Sequence, residues 1–387
     1  MRILCRGGLN HSIADESKRQ TFPPLSDARA GQPDAGQNPV YSDPFRVKNP
    51  SKMGRMSRID RIGQRRREMA LRRDEIRNGE RDAMKERAAA ARSVATISET
   101  ASVVDLLFFY GLLAGAYAVV VLTDFNWFAC LLALFAVAKA QNGLMLSGHE
   151  AVHRLLFRNR SLNDAVAAYL CFGPMGVGFE RARASHLDHH RYLLSERDEK
   201  LDQQIEQPSK SRYLRHLFVP LFGSYLLRAA LRFTGYPIAR RAKPGFSLDA
   251  TAQRRDLTAI IVSTLVLFAL MTAIDWRLYP FFWLLPLLTV TAFFHNAKGF
   301  LDHARFSDEP EDLLYSYRIT RLDRLFFGCQ QARHAEHHLY PFVPYRRLRD
   351  LEPLVDSDPA VKPRRGYFQT LLEYGRRVNE FGPGPSR

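Results

Sequence analysis

The chain has 387 residues and a formal net charge of +16, with 56 Lys and Arg against 40 Asp and Glu. Such a basic balance suits a nucleic acid or an anionic membrane surface, and no zinc-finger spacing or RNA-binding signature supports nucleic acid. The apolar residues are concentrated in four long runs while the rest of the chain is strongly charged, which argues against an ordinary soluble enzyme and predicts a membrane protein.

The first 100 residues divide into two segments by composition. Residues 1–50 are rich in Pro, Gly, Ser and charge and lack a hydrophobic period, which predicts disorder. The apolar stretch after Met1 and Arg2 is too short for a secretory signal. Residues 51–100 are dense in Arg, Ala, Glu and Met, which are good helix formers or tolerated in helices. We expect a basic helix there, either lying on an anionic membrane surface or solvated.

Four apolar runs follow, each close to the roughly 20 residues that a helix needs to cross the hydrocarbon core of a bilayer. The connections at 123–126 and 275–277 are so short that consecutive runs are predicted to form two helical hairpins. The four predicted spans are residues 103–122, 127–146, 257–274 and 278–294.

The positive charge predicts which side of the membrane each segment occupies. The connection at 123–126 has no Lys or Arg, and the one at 275–277 has only Arg277. The positive-inside rule therefore puts both termini and the long segment 148–256 in the cytoplasm. The four cysteines are isolated and form no CxxC motif, which suits a reducing compartment and suggests neither a redox pair nor an iron–sulfur cluster.

Two shorter apolar stretches lie at 165–179 and 216–233. The first is broken by a Gly-Pro pair and the second by arginines, so both are predicted to be interfacial or re-entrant.

The expected fold is an all-α integral membrane domain over residues 101–355. Its four transmembrane helices form two hairpins, and a cytoplasmic helical cap carries the functional site. Residues 356–387 are predicted to be a C-terminal tail.

Histidine clusters give the sharpest functional signal in the chain. They lie at 149–153, 186–190 and 334–338, with the spacings HxxxH, HxxHH and HxxHH. On a helix, positions i, i+3 and i+4 share one face, so each cluster is predicted to present two or three imidazoles in one direction, as chelation requires. Each cluster lies outside the apolar runs on the predicted cytoplasmic side. The candidate ligands are His149, His153, His186, His189, His190, His303, His334, His337 and His338, with His295 a weaker candidate and His11 and His216 interpreted as bystanders.

The number of histidines predicts two metal ions. Imidazole suits zinc, copper and iron alike, but eight or nine ligands exceed the four of a single zinc site. Ligation by nitrogen alone, without cysteine or a primary carboxylate, favours iron used for oxygen chemistry. Ligating histidines usually donate their second ring N–H to a carboxylate or carbonyl, and the candidates for that role are Glu150, Asp188, Asp302 and Glu336.

The three boxes resemble those of the membrane fatty acid desaturase family, as do the paired spans, the late histidine in 301–304 and the HHLYP sequence at 337–341. The resemblance covers about residues 100–355. It implies a di-iron centre held by these histidines, dioxygen as co-substrate, an acyl or isoprenoid lipid substrate and an external electron donor.

The sequence departs from the family pattern in three places. It lacks a haem-binding HPGG motif, so the expected donor is a separate ferredoxin or cytochrome b5-like protein. The third box begins with His334 rather than the Gln of front-end desaturases. Some members have an Asn four residues before the late histidine, where this chain has Gly299, and Asn296 or His295 could replace it.

The expected function is an oxygen-dependent di-iron oxidoreductase that attacks a C–H bond of a lipid, first of all as a fatty acyl desaturase. A lipid or carotenoid hydroxylase or ketolase of the same superfamily is the main alternative. The first box also matches the HExxH motif of zinc proteases, with Glu150 as general base, which is a remote alternative. A membrane metal-binding protein or transporter without enzymatic activity is a further one.

Overall fold

The computed structural model describes residues 84–193, 198, 210–224, 248–303, 314–327, 333–358 and 361–378. The prediction of disorder for 1–50 and most of the predicted basic helix lie outside these residues. Within the part described, residues 84–94 are helical.

Among the described residues, four helices are long and apolar enough to cross a membrane, as the sequence predicts. Each has 24 to 26 residues, which at about 1.5 Å per residue exceeds the roughly 30 Å of a bilayer core. Much of their apolar surface faces outward: Leu107 is 67% exposed and Leu270 63%. They are α1 (Glu99–Leu122), α2 (Trp127–Val152), α6 (Ala250–Ile274) and α7 (Pro280–His303).

Polar side chains begin three of these helices. Ser98, Asn126 and Asp249 each accept a hydrogen bond from a backbone N–H in the first turn of α1, α2 and α6. Such caps satisfy N–H groups that have no partner within the helix. The caps explain why helices begin here, at the borders between polar connections and apolar runs.

Shorter helices fill the segments between and after the spans. The stretch 165–179 is a broken helix, with a π turn (Ala167–Phe172) and a 3₁₀ turn (Gly173–Met175). A Cβ at Gly173 would meet the Ser263 side chain and the Ala259 carbonyl of α6, so this turn packs closely there. The remaining helices are α3 (Arg160–Val166), α4 (Phe179–Tyr192), α5 (Lys210–Phe218), α8 (Arg321–Phe327), α9 (His334–Leu339), α10 (Glu352–Val355) and α11 (Tyr367–Arg377).

The described chain is mostly helical, but it also contains two short strands that the all-α prediction did not include. β1 (Leu314–Arg318) pairs in parallel with β2 (Val361–Arg365). Tyr315 and Tyr317 of β1 are buried. The five-residue strand is too short, and too fully buried at its start, to show the alternating pattern that identifies a strand in sequence. After β2, Tyr374 of α11 packs edge-on against Phe300 of α7, so residues 361–378 fold against the helical core.

A buried amide joins α2 to α7 where α7 is irregular. α7 contains two π turns, Pro280–Leu284 and Leu287–Thr291. Gln141 is fully buried, donates to the Trp283 carbonyl at 2.9 Å and accepts from the Thr291 hydroxyl at 2.6 Å. Backbone groups inside a membrane need partners within the protein, so Gln141 holds the wide turn of α7 in place.

We expect Gln141→Leu to lower the thermal unfolding midpoint in detergent, because it leaves a buried carbonyl unpaired at a cost of about 1–3 kcal/mol. Asn142→Leu is the matched control, since the Asn142 amide bonds to Ala138 in its own helix. Equal midpoints for the two variants would contradict this role.

Candidate metal centre

The three boxes lie on three different helices whose ends meet. The first box forms the last turn of α2, the second lies in α4, and the third is α9. His303 is the final residue of α7. The boxes therefore come together in space, even though nearly 190 residues separate His149 of the first box from His338 of the last.

The first group contains His149, His153, His186, His190 and His337. The Nε2 atom of His186 lies 3.0 Å from that of His149, 2.9 Å from that of His153 and 3.0 Å from that of His190. Nitrogens at right angles around one ion, with bonds of about 2.1 Å, lie about 3.0 Å apart. The spacing of these nitrogens therefore fits ligation of one metal ion.

The second group contains His189, His303, His334 and His338. One ligand atom from each lies within 4.8 Å of the others. The Nε2 atom of His334 is 3.2 Å from that of His303 and 2.9 Å from that of His338. The ring of His338 stacks on His190 of the first group at 4.3 Å between centroids, so the two groups are adjacent and fit a pair of ions.

Each HxxHH box is divided between the two groups: two of its imidazoles face one group and one faces the other, within the expectation of two or three in one direction. His186 and His190 face the first group and His189 the second, whereas His334 and His338 face the second group and His337 the first. Residues i and i+4 differ by only about 40° around a helix, while i+3 and i+4 differ by about 100°. Both boxes therefore contribute to both groups.

Burial keeps the imidazoles in the form that binds metals. His334 and His337 are buried. Burial, and then the neighbouring histidines, hold the pKa of each well below its usual value of 6.5. Both rings are therefore neutral at pH 7, with a lone pair available for a metal ion.

A carboxylate outside the three boxes contacts the second group. Asp198 and His189 are both fully buried, and the Asp198 carboxylate oxygens lie 2.9 and 3.0 Å from Nδ1 of His189. This contact leaves Nε2 of His189 to face the other rings of the group. The sequence reasoning missed Asp198 and selected Asp188, which is partly exposed on α4.

The other carboxylate candidates lie at different distances from the ligands. An oxygen of Asp302 is 3.6 Å from Nδ1 of His334, and one of Glu150 is 4.0 Å from Nδ1 of His149. Glu336 instead accepts hydrogen bonds from Ser316 at 2.6 Å and Arg333 at 3.0 Å. It therefore helps to hold the helix of the third box against β1.

The weaker candidates lie outside both groups. His295 is exposed and lines a cavity of about 110 Å³ together with Gly299 and several of the clustered histidines. The Asn296 amide donates to the His216 carbonyl at 2.7 Å, and the His216 ring packs against Phe300. His11 lies outside the described residues.

Two adjacent groups of imidazoles, each of which could hold a metal ion, lie where the apolar helices α2 and α7 end. A model of the fatty acid desaturase family matches residues 125–369. The chain belongs to this family and is an oxidoreductase. It is also similar to the dihydrorhizobitoxine desaturase of Bradyrhizobium elkanii, with 26% identity over 277 residues, which cover 65% of this chain and 72% of that protein.

Proposed function

We propose that the protein is an acyl-lipid desaturase that uses two iron ions, one in each histidine group, and dioxygen as co-substrate. The observation that carries this proposal is the division of nine imidazoles into two adjacent groups with the spacing of metal ligands. Iron held in this way supplies the oxidising power to remove hydrogen from an unactivated carbon. The nine histidines of the prediction are the proposed ligands, and Asp198, Asp302 and Glu150 the proposed partners that orient them.

The proposed reaction consumes two electrons per double bond. A CH₂–CH₂ unit loses two hydrogen atoms, and these, together with two electrons from the donor and two protons, reduce dioxygen to two molecules of water. A separate ferredoxin or cytochrome b5-like protein is the proposed source of the electrons. The protein's own part is to hold the ions through its histidines, to position the carbon atoms that lose hydrogen, and to exclude water.

Contacts between the connecting loops support the proposed two-hairpin topology. The Arg277 guanidinium lies 3.4 Å from the centroid of the Phe125 ring, so the loops at 123–126 and 275–277 are neighbours. His149 and His303 lie at the opposite ends of α2 and α7. The loops contain one Lys or Arg between them, and the positive-inside rule favours the side with more positive charge for the cytoplasm. We therefore propose that the histidine groups and both termini are cytoplasmic.

An apolar cavity next to the metal centre supports a lipid chain as substrate. Its volume is about 480 Å³, and Phe108, Phe109 and Leu112 of α1 line it opposite Phe135 of α2. Leu146, Lys298 and Tyr345 line both this cavity and the smaller one beside the histidines. In the proposal, the acyl chain lies in the larger cavity and passes these residues to reach the metal centre.

Mass spectrometry of lipids from a host with and without the gene tests the reaction. We expect a lipid that has lost two hydrogens; a lipid that has gained one oxygen would identify a hydroxylase.

Metal analysis of the purified protein tests the remote protease alternative. Two irons per chain would support the desaturase, and one zinc per chain would support the protease.

We expect Gly143→Ala to lower turnover of long acyl chains by about tenfold, the scale of one methyl group in an apolar pocket. A Cβ at Gly143 would overlap the Phe109 ring and push it into the apolar cavity. Gly111→Ala in α1 is the matched control, because no atom lies within 4 Å of its added Cβ. Turnover should be compared across chain lengths, and an equal effect of both variants would contradict the assignment of the cavity.

A further inference from the structure

Five arginines surround a second large cavity on the protein. Its volume is about 540 Å³, and Ile319 and Glu352 complete its lining. The arginines come from β1, α8 and the segment around the third histidine box, and they meet at one place although they belong to different elements. They are Arg318, Arg324, Arg333, Arg346 and Arg349.

Carboxylates balance only part of this positive charge. Arg333 pairs with Glu336 and Glu352, Arg318 with Glu352 and Asp356. Arg346 pairs with Asp105. Arg324 and Arg349 are both exposed, and neither guanidinium pairs with a carboxylate of the described residues. Five arginines against four carboxylates leave an excess of about one positive charge, and the two arginines without a carboxylate partner, Arg324 and Arg349, carry it.

The arginine-lined cavity borders the apolar cavity of the proposed substrate site. Arg324 and Arg346 line both, so the charged space begins where the apolar space ends. The histidine groups, the apolar cavity and the arginine-lined cavity therefore follow one another in space, in that order. A ligand that filled both cavities would have an apolar chain at one end and a strongly anionic group at the other.

We propose that the arginine-lined cavity binds the phosphate of an amphiphile whose apolar chain occupies the neighbouring cavity. A phosphate monoester carries about −1.5 to −2 charge at pH 7, and Arg324 and Arg349 have no carboxylate partner among the described residues that would compete for it. The guanidinium group suits phosphate because it can donate two parallel hydrogen bonds. That this amphiphile is the substrate rests on the proposed function; that it binds here rests on the two cavities and their charge.

An acidic protein, such as an electron donor, is a different partner that arginines could attract. The continuity with an apolar cavity favours the amphiphile, because the surface of a folded protein cannot enter that space. The phosphate could also belong to a free anion rather than to a lipid, and the experiment separates these cases.

The test is ligand binding to the purified iron-loaded protein in detergent, measured by the rise in thermal unfolding midpoint. The probes are dioctanoyl phosphatidate, dioctanoylglycerol and inorganic phosphate. We expect phosphatidate to bind at least tenfold more tightly than the other two, and the double variant Arg324→Gln/Arg349→Gln to weaken phosphatidate alone by at least tenfold. The matched control is Arg321→Gln/Arg365→Gln, which removes two exposed arginines that do not line the cavity.

Three results would overturn the proposal: equal affinity for phosphatidate and dioctanoylglycerol, inorganic phosphate binding as tightly as phosphatidate, or equal losses in the two double variants. A double variant that loses reduction by an acidic ferredoxin but keeps phosphatidate affinity would also overturn it, and would assign the surface to the donor. Iron content and lipid products, measured on the same samples, test the proposed function separately. Normal iron and products with unaltered phosphatidate binding in the variant would reject only the phosphate site.

Discussion

His186→Ala and His338→Ala should each abolish detectable desaturation and lower the bound iron. Each substitution removes one proposed ligand from one group, and Nε2 of His186 lies within 3.3 Å of four other imidazole nitrogens. A metal ion contributes several kcal/mol to transition-state stabilisation, so the loss should be about a thousandfold or more. The measurement is product formation together with iron per chain.

His216→Gln is the control for these variants, because His216 packs against Phe300 and belongs to neither group. It should keep its iron and most of its activity. Full activity with two irons in both ligand variants would reject the site assignment. Loss of activity in all three variants, with no change in iron, would indicate general damage to the fold.

Asp198→Ala should weaken iron binding in the second group by about 10- to 100-fold, the usual effect of removing a carboxylate that orients a ligating histidine. Asp198 is buried against Nδ1 of His189, and without it the ring can rotate or adopt the wrong tautomer. Iron per chain should fall from two towards one during dialysis against a chelator, and activity should fall with it. Asp198→Asn should have a smaller effect, because its amide oxygen can still accept the Nδ1 hydrogen.

Asp188→Ala is the matched control, since Asp188 lies in the second box itself but is partly exposed. It should retain iron as the unaltered protein does. If Asp188→Ala lost iron and Asp198→Ala did not, the sequence-based choice would be right and the contact seen here would have no role in the metal centre.

The contrast between these two aspartates shows what sequence reasoning could reach. The four spans and the histidine boxes were predictable because their signals are local: runs of apolar residues, and imidazoles three or four residues apart on a helix. The division of each HxxHH box also follows from helix geometry, since the second imidazole points about 100° away from the last. The prediction was that two or three imidazoles of a box face one way, and it did not specify which.

Asp198 could not be predicted, because its contact with His189 depends on tertiary packing rather than on a spacing that the sequence shows. The arginine-lined cavity could not be predicted either, because its arginines are spread from Arg318 to Arg349 among acidic residues. In sequence they look like the solvated charges of an ordinary surface. Arg333 and Glu336 are three residues apart, but packing decides that Arg333 also meets Glu352 while Arg324 meets no carboxylate among the described residues.

Anomalous scattering at the iron absorption edge, measured on crystals of the purified protein, would locate the proposed irons. We expect two iron peaks in each chain, one about 2.1 Å from Nε2 of His186 and the other at the same distance from Nε2 of His334. A single peak, or a signal at the zinc edge instead, would contradict a di-iron centre built from these two groups of histidines.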